Sequence, residues 1–114
     1  MTEVQLRQIA LTFPEATEEP HFEKTSFRVK KKIFATFDAA HQMACIKLSD
    51  IDQDVFSKIS KGAVFPVNNK WGKQGWTNID LKLIQPEILK DALTSAYCEV
   101  APKKLKDLVQ VNSK

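Results

Sequence analysis

The sequence predicts an α+β fold: an α-β(3)-α-β(2)-α two-layer sandwich, with a five-stranded antiparallel sheet carrying its helices on one face. Three observations lead there. Apolar residues recur at helical spacing before Pro14, after Ser49 and after Pro86. Between these segments the period changes to two, in runs rich in Val, Ile, Phe and Thr. The strands come three together and then two together, rather than alternating with helices, and that grouping belongs to antiparallel sheets bracketed by helices. A chain of 114 residues has room for one core, so residues 1–114 are read as a single domain.

Thr2-Glu3-Val4-Gln5 fits a capping box, and Leu6, Ile9, Ala10 and Phe13 follow on one helical face until Pro14 stops the helix. Glu15 to Pro20 is acidic and bounded by proline, which reads as a connecting loop. From Thr25, Phe27 and Val29 share one face of a strand while Ser26 and Arg28 share the other. Ile33 to Phe37 forms the next strand. A three-residue loop over Lys30-Lys31-Lys32 would set Val29 opposite Ile33 and Phe27 opposite Ala35, keeping one face apolar. Some residue of that tip then needs a positive φ without a glycine to supply it. Residues 39–42 turn the chain, and Met43 to Leu48 is a third strand.

Ser49 or Asp50 caps a short helix with Ile51, Val55, Phe56 and Ile59 at helical spacing, its early aspartates favoured by the helix dipole. Gly62 suits the left-handed position after that helix. Ala63 to Val67 is a fourth strand, irregular or at an edge because of Pro66. Residues 68–75 form a loop, and Trp76 to Leu81 returns antiparallel. Pro86 opens the longest helix, with Leu89, Ala92, Leu93, Ala96 and Val100 on one face. After Pro102 a short last helix carries Leu105, Leu108 and Val109.

Composition excludes several functional classes. The start of the chain has no cationic segment leading into an apolar run, so no signal peptide is expected. No stretch approaches the roughly 18 apolar residues a membrane-spanning helix needs. Cys45 and Cys98 sit in apolar-patterned segments and read as free thiols in a reducing cytoplasm. Two histidines without companions at ligand spacing imply no metal site, and no cofactor motif is present. No nucleophile elbow, paired carboxylate or Cys-His arrangement appears, so no catalytic residue and no enzymatic activity is expected. The net charge of +3 is unevenly spread: residues 1–57 carry −2 and residues 58–114 carry +5. Such asymmetry is compatible with a basic face towards a polyanion.

Two stretches could carry recognition. Lys24, Arg28, Lys30, Lys31 and Lys32 put five cations into nine residues, alternating with apolar positions, so the cations can crowd one strand face and its hairpin tip. The same lysines also serve to keep a hairpin tip from edge pairing. His21, between Pro20 and Phe22, has no nucleophile partner and reads as structural. The second stretch is Trp71-Gly72-Lys73-Gln74-Gly75-Trp76, preceded by Asn68, Asn69 and Lys70. It holds both tryptophans and two of the three glycines. Its rings can stack on bases or hold an edge of the core, with Trp76 the anchor and Trp71 exposed. The pattern lacks the full glycine spacing and following helix of a phosphate-cradling loop. Lys103, Lys104 and Lys106 on the last helix read as a solvated face around Leu105.

Several of these residues together resemble the MmcQ/YjbR-like proteins. Phe13-Pro14, Glu19-Pro20-His21-Phe22, Lys24, Ser26-Phe27-Arg28-Val29 and Lys32-Ile33-Phe34-Ala35 carry the resemblance. So do Trp71-Gly72, Gly75-Trp76, Asp80 and Val100-Ala101-Pro102-Lys103. The resemblance implies a bacterial cytoplasmic protein with a "double wing" DNA-binding fold related in shape to secretion chaperones. The wings would be the hairpin around Lys30 to Lys32 and the segment from Trp71 to Trp76. His21, Lys24, Phe27, Arg28, Trp71, Trp76 and Asp80 are the positions carried over. The tip departs from the family pattern, with Lys30-Lys31 where glycines are common.

The resulting expectation is a monomeric or weakly dimeric DNA-binding protein that contacts nucleic acid, mostly at its phosphates, through Lys24, Arg28, Lys30, Lys31, Lys32, Lys70, Trp71 and Lys73. Two alternatives have no DNA role. A protein-interaction adapter resembling secretion chaperones would expose an apolar patch of several hundred square ångströms. A small-molecule-binding domain would have a concave apolar pocket under the tryptophan loop, with convergent polar groups.

Overall fold

A computed structural model of the chain describes residues 3–110. In chain order the elements are α1 (Glu3–Leu11), β1 (Thr17–His21), β2 (Lys24–Val29), β3 (Lys32–Asp38), β4 (Met43–Lys47), α2 (Asp50–Ile59), β5 (Val64–Pro66), α3 (Lys70–Lys73), β6 (Trp76–Asp80), α4 (Pro86–Val100) and α5 (Lys103–Gln110). The strands make one antiparallel sheet in the order β1-β2-β3-β4-β6-β5. The α+β class and the one-sided helical layer agree with the sequence reading. The capping box expected at Thr2 lies outside the described residues.

The sheet has six strands, not five. The segment expected to be a loop from Glu15 to Pro20 supplies β1, which pairs with β2 from Thr17 opposite Arg28 to His21 opposite Lys24. Its residues are exposed or half-buried along their whole length, so no alternation of apolar and polar residues marks it as a strand. Pro20 is tolerated because β1 is an edge strand, and Glu18 and Glu19 discourage a further strand from pairing there.

The β2–β3 hairpin turns in two residues, not three. Lys30 and Lys31 form the tip, with φ of +50° and +69°, and Val29 faces Lys32. Positive φ at both central residues is the mark of the type I′ turn, whose twist matches that of the flanking strands. The expected pairing of Phe27 with Ala35 is nevertheless present, because a β-bulge next to Arg28 restores it: Arg28 pairs with Ile33, and Phe34 is the extra residue. Phe34 and Ala35 are therefore both fully buried. The bulge lets a short charged turn coexist with an apolar core face.

Ser49 caps α2, its Oγ accepting from the Asp52 amide at 3.1 Å. Of the four apolar residues expected to face inward, only Phe56 is buried; Ile51, Val55 and Ile59 are 76%, 44% and 52% exposed. This helix lies beside short, terminal β5, so the sheet covers only a narrow strip of it. Ser60 ends the helix, and Lys61 at φ +56° precedes Gly62 at φ +94°, so Gly62 is the second of two left-handed residues. Within the expected 68–75 loop, α3 forms one helical turn.

The core lies between the sheet and α1, α2, α4 and α5. From α4 come Leu89, Ala92, Leu93, Ala96 and Tyr97; from the sheet come Phe27, Val29, Phe37, Ala44, Ile46 and Ile79. Tyr97 stacks on Phe13 at 4.9 Å between ring centroids and meets Phe34 edge-on at 5.5 Å. Its hydroxyl donates to the Pro14 carbonyl at 2.6 Å, satisfying the polar tip of a buried ring and tying α4 to the end of α1.

Candidate binding site on the open sheet face

Strand pairing sorts the sheet into two faces. Phe27, Ala35, Ile46 and Thr77 share a row on the helical side, as do Phe37, Ala44, Ile79 and Val64. The intervening residues Ser26, Thr36, Cys45, Asn78 and Phe65 form a continuous row across five strands on the opposite side. No helix of the core layer packs there, and Thr36, Cys45 and Asn78 remain partly accessible.

This open face holds a cleft of about 460 Å³. Thr36, Cys45 and Asn78 from β3, β4 and β6 form its floor. One wall is Val67, Trp71 and Trp76; the other is His21, Lys24 and Ile33. Both tryptophans of the chain thus border one cavity. Trp71, on α3, is 50% exposed, as expected. Trp76 is partly buried but sits on the open face and outside the core cluster, so it does not hold an edge of the core as the sequence suggests, because period-two alternation sets it on the same side as Asn78.

The tryptophan segment is held by specific contacts. Asn69 caps α3, its Oδ1 accepting from the Trp71 amide at 2.8 Å. The Leu48 amide donates to the Gly75 carbonyl at 2.9 Å, and Lys47 Nζ donates to the Gln74 carbonyl. Gln53 of α2 donates through Nε2 to the Gly72 carbonyl at 2.9 Å and to Thr77 Oγ1 at 3.0 Å. Gly72 and Gly75 are required by close approach: an added Cβ would lie 1.9 Å from the Val67 carbonyl oxygen and 2.0 Å from that of Leu48. Gly75 also has φ +106°.

The first basic stretch is built differently. Lys30 at the tip is engaged by Glu15 at 2.7 Å, whereas Lys31 and Lys32 are exposed and form no ion pair among the described residues. Arg28 lies on the open face and donates through Nε to Ser26 Oγ at 3.0 Å, which in turn donates to the Glu19 carbonyl. Lys24 borders the cleft and forms no ion pair among the described residues. Lys70 stands 5.6 Å from the centroid of the Trp71 ring, a cation–π distance. The structure therefore brings His21, Lys24, Trp71 and Trp76 together and leaves the Lys30–Lys32 tip and Lys73 outside the cleft. Phe27 belongs to the core, and Asp80 ends β6, accepting from the Lys82 amide at 2.9 Å.

Sequence reasoning missed Cys45, Thr36 and Asn78 as the floor, although period-two alternation carries the signal that puts them opposite the core residues. Burial raises the Cys45 pKa above the ordinary thiol value, opposed by the positive charge of Lys24. Phe22, part of the motif stretch, turns out to be 95% exposed at the β1–β2 turn with φ +58°, its ring 4.9 Å from that of His21, which no pattern in the sequence signals. A bulky exposed residue in the left-handed region is rare and costly.

Fold and site together define a class: an α+β sandwich whose sheet is covered by helices on one face and open on the other, with an aromatic-walled cleft on the open side. The chain belongs to the YjbR family, whose family model matches residues 11–99. Among solved structures it is similar to a Deinococcus radiodurans protein, DR2400, described as a DUF419 domain. The TM-score is 0.73 at 19% identity, covering 92% of this chain and 85% of that one. That likeness is one of fold. No curated protein matches the sequence. Among the described residues, no helix is long and apolar enough to cross a membrane.

Proposed function

We propose that this protein binds DNA with the open face of its sheet, mainly through phosphate contacts from the lysine hairpin and the α3 segment. The observation that carries the reading is that Lys24 and Arg28 lie on or beside one uncovered face that Trp71 of α3 also borders. Of the seven cations Lys24, Arg28, Lys30, Lys31, Lys32, Lys70 and Lys73, only Lys30 is in an ion pair among the described residues. Cations outside ion pairs can displace counterions from a nucleic-acid backbone without first leaving a carboxylate, although Arg28 also holds Ser26 and Lys70 stands over Trp71. Acidic β1 limits the positive surface on one flank, which favours contact through the cleft side of the hairpin. Free Cys45 and Cys98 support a reducing cytoplasmic setting, and we take the protein to act as a monomer or weak dimer.

The test is a titration of fluorescently labelled DNA at low salt. Affinity should fall with a log–log salt slope of about −0.9 per neutralised phosphate on duplex, and about −0.7 on single strands. Charge reversal of Lys31 and Lys32 should weaken binding and flatten that slope. No binding at tens of micromolar, or an unchanged slope in the reversed variant, overturns the reading.

A second reading, an adapter for another protein, is favoured by the exposed Ile51, Val55 and Ile59 at successive turns of α2. It would take over if no DNA probe bound and Val55→Lys abolished an association seen by sedimentation.

A further inference from the structure

The cleft differs in composition from other depressions found among the described residues. Three others, around Thr12 and Leu108, around Ser95 and Cys98, and around Gln5 and Pro86, each include at least one carboxylate. The cleft on the open face includes none, and it has Lys24 and His21 on one wall. Opposite them stand two indoles. A planar aromatic group finds stacking surface on Trp71 and Trp76, and an anion attached to it finds Lys24 across the cleft. Asn78 and Thr36 on the floor offer amide and hydroxyl groups to the edge of a ring. The volume of about 460 Å³ is that of a small-ligand site. It is far too small for a duplex, whose bases are already stacked and whose edges lie in its grooves. It suits one unstacked base with its phosphate.

From these observations we propose that the cleft binds a single nucleobase with its phosphate, stacked against Trp71 and with the phosphate held by Lys24. The base could be supplied by single-stranded DNA or by a free nucleotide. In the first case the inference rests on the DNA-binding reading, and specifies single strands over duplex.

Because both tryptophans border the cleft, intrinsic fluorescence reports on occupancy directly, and Cys45 on its floor gives a second signal through protection from a thiol reagent. Labelling is best followed at alkaline pH, with Cys98, which borders a different depression, as internal reference. The probes are thymidine and adenosine monophosphates, a ten-residue oligothymidylate, the same strand with abasic positions, and its duplex. The expected result is saturable quenching and protection of Cys45 but not Cys98 by a monophosphate or the oligothymidylate, weakened roughly tenfold by Trp71→Ala. Lys24→Glu should weaken binding comparably, and abasic positions should remove the Trp71 dependence.

If monophosphates saturate the cleft but no oligonucleotide binds, the pocket stands and the DNA-binding reading falls. If duplex binds as tightly as single strand and Trp71→Ala changes nothing, the pocket is overturned while DNA binding stands. Absence of quenching and of protection at millimolar monophosphate and oligothymidylate overturns the pocket outright. Trp71 and Lys24 are on the surface, so both variants should retain the far-ultraviolet circular dichroism of the parent chain.

Discussion

The lysine hairpin and the tryptophan segment, the two stretches marked out for recognition, are built on opposite plans. The hairpin tip projects two lysines from a two-residue turn, held by one exposed ion pair between Lys30 and Glu15. The tryptophan segment is tied to β4 through Leu48 and Lys47, to α2 through Gln53, and to its own backbone through Asn69. The hairpin accepts local strain in order to present charge: Lys30 and Lys31 both sit at positive φ where asparagine and glycine would be easier. The other segment uses its glycines where close packing demands them. The contrast matches what each presents. A charge acts over several ångströms and tolerates an imprecise position, whereas stacking on an indole needs the ring held in place.

The contrast can be broken most severely at Gly75. Substitution to Ala would force a Cβ against the Leu48 carbonyl at a φ that disfavours any side chain, and should cost about 3 kcal/mol or more by chemical denaturation. A loss below about 1 kcal/mol would mean the segment can move away from β4. Gln53→Leu comes next. It leaves the Gly72 carbonyl and the Thr77 hydroxyl without their α2 partner and should cost about 1–3 kcal/mol. The Trp71 ring should then become easier to quench with acrylamide. If quenching is unchanged, the clamp from α2 does not position the ring.

At the hairpin the effect should change sign. Lys30→Asn with Lys31→Gly places the preferred residues of a type I′ turn at the tip and should raise stability by about 1 kcal/mol. The same variant should weaken DNA binding, so a protein that became both more stable and tighter binding would argue against a role for the tip. The smallest effect is expected of Glu15→Gln. It removes an exposed ion pair, should change stability by less than about 0.5 kcal/mol, and should slightly increase affinity for DNA by releasing Lys30.

Much of this was legible in the sequence for physical reasons. The core helix α4 announces itself through Leu89, Ala92, Leu93 and Ala96, because a face that must be buried leaves a 3.6-residue signature. The strands from β2 to β4 do so through alternation. β1 leaves no such trace, since an edge strand with both sides accessible is held by backbone hydrogen bonds to β2, which impose no side-chain pattern. The apolar spacing of α2 marks a helix but does not reveal that its apolar side is exposed, because periodicity reports a face and not what lies against it. The tryptophan segment was visible as a candidate recognition surface. Its other wall was not, because His21 and Lys24 reach it only through the twist and pairing of the sheet.

The sequence by itself determined the α+β class, the principal helices and strands, the family, and the two stretches worth attention. Each of these depends on local periodicity, on caps and turns, or on a pattern of residues along the chain. Tertiary structure alone decided the sixth strand, the bulge at Phe34 that reconciles a two-residue turn with an apolar face, and the cleft itself. Those features depend on register between segments far apart in sequence. The cleft exists because pairing of β3, β4 and β6 sets Thr36, Cys45 and Asn78 side by side, between a tryptophan wall and a histidine–lysine wall some fifty residues apart along the chain.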